Sequence, residues 1–128
     1  MSYQSDIYDA ILGSVALTEI LGDRFFWDVA DAATPAPYLV AQTVSGSGET
    51  DLDGRRDVSF PLVQFSAWAR SKADAIALVS IIRAELEGRD LDGPSNVSMG
   101  YSGESSTYER ETKLYGETLD MRVSTLSN

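Results

Sequence analysis

Three sets of residues in this 128-residue chain are of types that perform chemistry in other proteins. The first is Asp51 and Asp53 with Gly54, which resembles the opening of a calcium loop. In such a loop the glycine comes at the sixth position and a glutamate closes at the twelfth. Here the glycine arrives too early and no glutamate closes the motif, so calcium is not expected. The second set is Gly46, Gly48 and Gly54, which form neither GxxxxGK[ST] nor GxGxxG. The third is the carboxylates. A general acid needs burial or a like-charged neighbour to raise its pKa, and the obvious acidic pairs fall in polar segments. Histidine and cysteine are absent, which removes the common zinc sites, disulfides and every Ser-His or Cys-His pairing. The expectation is no catalytic residue, no metal and no cofactor.

Charge narrows the partners. Twenty acidic and 10 basic side chains give a net charge of −10. That balance opposes binding to nucleic acid or to an anionic membrane surface, both of which need cationic patches. The basic residues are either paired, as in Arg55–Arg56, or scattered. No apolar run approaches the roughly 20 residues that span a bilayer. The polar, acidic N-terminus does not read as a signal peptide. The length suits one domain, residues 1–128, burying roughly two-thirds of its unfolded surface.

The elements centre on Asp57–Gly88. Val63, Phe65 and Ala67 alternate with Leu62, Gln64, Ser66 and Trp68, which predicts a strand over Val58–Ala69. Pro61 marks an edge position or a bulge where the apolar face changes over. The period then changes. Ser71 is a natural N-cap for a helix over Lys72–Glu87, and Gly88 is its stop. The predicted buried stripe is Ala73, Ile76, Ala77, Ser80, Ile81 and Ala84, widened by Val79, Ile82 and Leu86. Val63, Phe65, Ile76, Ile81 and Met121 should be buried together.

Upstream, Ser5–Leu21 has helical spacing interrupted by Gly13, giving one bent helix or two short ones. Arg24–Trp27 reads as a strand or an extended lead into the sheet. Phe25, Phe26 and Trp27 cannot all enter one core, so one should lie on the far face or at a subunit contact. Tyr38–Val44 alternates as a strand. Ser45–Arg56 is a polar loop joining it to the next strand, a long β-hairpin with an extended tip. Downstream, Val97–Tyr101 and Thr118–Ser124 read as strands and Ser102–Ser106 as a turn. Tyr108–Tyr115 fits a strand or an irregular arm, and Thr125–Asn128 a frayed tail. The resulting fold class is α+β: a mostly antiparallel sheet with two helices packed on one face.

The ordered run of these elements resembles a known family. ILGDRFFW ends the helical N-terminus, and PAPYLVAQTVSGSGETDLDGRRDVSFPLVQFSAWAR leads into the Ser71–Leu86 helix. LYGETLDMRVS closes the chain. This pattern is similar to the tail completion, or tail terminator, proteins of long-tailed bacteriophages and related gene-transfer particles. The resemblance implies a non-enzymatic structural virion protein, assembled in the host cytoplasm. It would form a homo-oligomeric, six-membered ring on the head-proximal end of the tail tube. That ring stops tube polymerisation and presents a joining surface to the head connector. Its partners would be the tail tube protein and the head-side connector, with DNA passing through the channel without specific binding.

A ring needs two different contact faces per subunit. Phe26 and Trp27, with Asp51, Asp53, Arg55 and Arg56 of the long loop, are the candidate subunit or tube contacts. Another neck or tail-tube subunit of the same particle, or a stand-alone binding module, are the alternative readings.

Overall fold

The computed structural model describes residues 3–31, 33–45, 48–50, 57–59, 61–88 and 98–127. Helix α1 spans Tyr3–Leu12 and α2 spans Val15–Leu21. The Gly13 interruption resolves into two short helices. Ser14 takes an extended backbone (φ −85°, ψ 118°), and its Oγ accepts the Leu17 amide at 3.3 Å, capping α2. Gly22 closes α2 at φ 58°, a left-handed conformation that glycine adopts without Cβ strain. Ile7, Ile11, Leu17 and Leu21 are fully buried.

Strand β1 (Phe25–Trp27) pairs parallel with β2 (Tyr38–Ser45). Arg24 ties α2 to this edge, donating from Nε to the Pro37 carbonyl at 2.8 Å and from Nη2 to the Ile20 carbonyl at 3.0 Å. Next come β3 (Gly48–Thr50), β4 (Asp57–Ser59) and β5 (Leu62–Ala69), then α3 (Lys72–Leu86). Strands β6 (Ser98–Glu109) and β7 (Leu114–Ser127) complete the chain. The main sheet has the order β1-β2-β5-β7-β6 and is mixed, because β1 runs parallel to β2 while the other pairs are antiparallel.

Strand β4 continues the path of β5 along β7, with Leu62 opposite Arg122 and Ser59 opposite Thr125. It also carries β3 on its outer side. The single strand expected over Val58–Ala69 is therefore two collinear strands, parted at Pro61. Pro61 has no N–H to give, but its carbonyl accepts the Val123 amide at 2.9 Å.

All three helices cover one face of the sheet. The alternation of β5 is as read: Val63, Phe65 and Ala67 are buried and Leu62, Gln64, Ser66 and Trp68 half-buried. Met121 is buried with them. Ser71 caps α3 by accepting the Asp74 amide at 3.1 Å, and Gly88 follows the helix at φ 70°.

The direction of α3 needs correction. Its buried side chains are Ala75, Leu78, Val79, Ile82 and Leu86, whereas Ile76 is 37% exposed and Ile81 only partly buried. The expected stripe held four alanines and serines, which bury little area; the branched set provides more. Two further expectations change. Ser102–Ser106 is strand, because an extra residue between Tyr101 and Gly103 forms a bulge and pairing with β7 resumes. Thr125–Ser127 pairs with β4 instead of fraying. Among the described residues there are three helices where two were expected, since the N-terminal pattern splits.

Candidate functional site

The face of the sheet opposite the helices carries side chains that a solvated sheet does not need. Phe26, Val40 and Ser66 lie on one cross-strand row, and Tyr38, Trp68 and Gly116 on the next. Phe26, Tyr38, Val40 and Trp68 are all half-buried. Toward the hairpin the same face turns polar: Ser66 and Thr118 hydroxyls meet at 3.4 Å, and Gln64 donates to Asp120 at 3.1 Å.

Gly116 sets the pose of Trp68. A Cβ at that position would stand 2.9 Å from Trp68 Cζ3 and 2.9 Å from Thr107 Cγ2. The indole thus lies across bare backbone, with Thr107 at its margin. At this end of the sheet a shallow cleft of about 350 Å³ opens between Asp28, Tyr38, Ser66, Trp68 and Glu109. Asp28 leaves β1 with φ 75°, a conformation Asp tolerates better than most residues, and donates its amide to the Ala41 carbonyl at 2.8 Å. Partial burial raises the Tyr38 phenol above its ordinary pKa, and the Glu109 carboxylate pushes the same way.

The residues singled out from sequence fall into three places. Phe26 is on the uncovered face, as the surplus-aromatic argument requires of one of the three. Trp27 is on the helix side, packed against the core, its ring edge-on to Phe25 at 6.2 Å. Phe25 is buried and stacks on Tyr8 at 5.4 Å. Asp51, Asp53, Arg55 and Arg56 lie outside the described residues, between β3 and β4. The structure therefore brings Phe26 together with Tyr38 and Trp68, not with Trp27. Tyr38, Trp68, Asp28 and Glu109 were not anticipated as site residues. The sequence did carry one signal: Trp68 sits on the opposite parity from Val63, Phe65 and Ala67.

Residues 5–126 match the family model described as Tail completion protein gp17. The chain belongs to that family. Among solved structures it is similar to a chain of the virion of a native gene transfer agent particle, with a TM-score of 0.78 and 15% sequence identity. The likeness covers 97% of this chain and 94% of that one, and is one of fold. No curated protein matches it by sequence.

In this tail completion family member a second polar cluster sits where β6 overhangs α3. Glu117 is 4% exposed and accepts a short hydrogen bond from Ser106 Oγ. Arg83 lies over the Tyr101 ring at 3.8 Å and pairs with Glu87 at 3.1 Å. The Glu104 carboxyl is held above its usual pKa, first by its hydrogen bond to Glu117, then by partial burial and the Glu117 charge; Arg83 opposes these.

A raised carboxyl stabilises the fold below its unfolded pKa, and that contribution is lost as pH rises through the folded one. Glu104→Gln should therefore raise Tm at neutral pH, by about 1–2 °C for so exposed a group. The difference should vanish below the carboxylate range. Thermal melts at both pH values check this; a neutral-pH decrease would contradict it. Among the described residues no group of three or more His, Cys, Asp or Glu is placed to hold a metal ion.

Proposed function

We propose that this protein caps the head-proximal end of a phage tail tube by closing into a six-membered ring. The ring ends tube polymerisation and offers its outer surface to the head connector. The subunit acts by contact alone, without catalysis. The observation that carries this reading is the family match over residues 5–126, supported by an uncovered sheet face bearing half-buried Phe26, Tyr38 and Trp68. A lone monomer gains little by leaving such area in water, whereas a neighbour covering it gains about 25 cal/mol per Å².

The acidic balance suits a channel for DNA. A net charge of −10 keeps a passing duplex from adhering, and screening softens the repulsion beyond roughly 10 Å. Retention of duplex DNA by the protein at low salt would therefore count against an acidic lumen. The decisive experiment withholds the protein during particle assembly. Tails of uncontrolled length, or full heads that never acquire tails, are the expected result; normal infectious particles would end the proposal. Electron microscopy of the purified protein separates a ring from the open stacks that a tube subunit would form.

A further inference from the structure

We propose that Val29 of one copy seats in an apolar cavity at the start of α3 on a second copy, with Asp28 meeting Arg70 across the contact. This contact rests on the ring reading and supplies its chemistry. The cavity measures about 270 Å³ and is lined by Ile20, Pro37, Ala69, Ala77 and Leu78, with exposed Arg70 and Asp74 as its charged members. That volume falls below the roughly 300–1,000 Å³ of small-molecule sites and suits one or two side chains. Among the described residues neither Arg70 nor Asp28 makes an ion pair. Each is open to a partner of opposite charge.

Val29 is 76% exposed, the most of any large apolar side chain among the described residues. Its amide donates to the Trp27 carbonyl at 3.0 Å across Asp28, whose φ is 75°. That pairing and that φ belong to a γ-turn of the strained, positive-φ kind. Strain that holds an apolar side chain out in water has no use in a monomer; a partner covering that side chain gives it one. Val29 lines the cleft on the uncovered face beside Tyr38 and Val40. The cavity is on the other side of the sheet, since Ala69 has the buried parity of β5 and Ile20 and Leu78 belong to helices. A copy's own valine therefore does not fill its own cavity. Asp28 adjoins Val29 as Arg70 adjoins the cavity, so the apolar contact and the carboxylate–guanidinium pair form together. Asp74 supplies an acceptor for a backbone amide of the incoming turn. Two different patches meeting head to tail make a heterologous contact, the kind that closes a ring.

The test breaks the contact from each side and then mends it. Rings are scored by mass and electron microscopy, in solution and on the ends of isolated tails, and circular dichroism melts establish that every variant folds. Wild-type protein should form rings. Val29→Glu should lose them, because its carboxylate would enter an apolar cavity beside Asp74, and Arg70→Glu should lose them by facing Asp28 with a like charge. Val29→Glu combined with Asp74→Lys should recover rings, since the new carboxylate then meets a cation in the cavity. Val15→Glu is the control: that valine is 70% exposed but lines neither cavity nor cleft, and its rings should match the wild type. Rings from Val29→Glu or Arg70→Glu alone, no recovery in the double variant, or equal loss in Val15→Glu would overturn the contact and leave the ring standing. Wild-type protein that forms no ring in solution or on tails would overturn both.

Discussion

Ile82→Asp is expected to abolish the folded subunit, while Ile76→Asp, six positions earlier on the same helix, leaves it standing. Ile82 is 0% exposed in the core between α3 and the sheet. Replacing it removes about 1.5–3 kcal/mol of burial and leaves an unpaired carboxylate in apolar surroundings, costing several kcal/mol more. Total stabilities of about 5–15 kcal/mol rarely survive that sum. Ile76 is partly in water already, so its carboxylate stays hydrated and the change should remain within about 1 kcal/mol. Far-ultraviolet circular dichroism and thermal melts of the pair read the rotation of α3 directly. Loss of fold in the Ile76 variant with a parental melt for Ile82 would mean the helix faces the other way.

Gly116→Val should destabilise by about 1–3 kcal/mol and disturb Trp68 at the same time. The added Cβ would lie within 3.0 Å of two indole carbons and of the Thr107 methyl. Either the ring lifts off the sheet or β6 shifts outward. In both cases tryptophan emission should move to the red as the indole meets water. Gly100→Val is the matched control, because a Cβ there meets nothing within 4 Å. A β-branched residue at that open strand position should be neutral or mildly favourable. If the two variants melt alike, the indole does not rest on Gly116. A red shift in the Gly116 variant with weakened assembly would also tie the uncovered face to subunit contact.

Much of the architecture is readable from residue order because the local signals are unambiguous. The alternation through Val63, Phe65 and Ala67 has one buried parity, Gly13 breaks a helical pattern, and Ser71 and Gly88 bracket α3. The facing of α3 is not readable, because apolar residues occupy most of its circumference and periodicity then has little direction. The length of β6 is hidden for another reason. Gly100, Gly103 and its serines have poor strand propensity, and only pairing with β7 holds them extended. The site was half legible. Phe26 follows from counting aromatics that one core cannot hold. The cleft does not, since Asp28, Trp68 and Glu109 lie far apart in the chain and meet only through the sheet.

The bulge after Tyr101 has a bearing on how this protein survives before it is used. Among the described residues β6 pairs with β7 along one side, while on the other the Gly88 amide meets only the Met99 carbonyl at 2.9 Å, which leaves an edge beyond Met99 long enough to template pairing with another exposed strand. Such an edge invites aggregation among newly made chains. Here the bulge breaks the regular ladder of free amides and carbonyls, and Glu104 and Glu109 place charge along it. Two such edges meeting would crowd like charges and mismatch their registers. The irregularity thereby works as a gatekeeper, disfavouring edge-to-edge pairing between two copies of this strand.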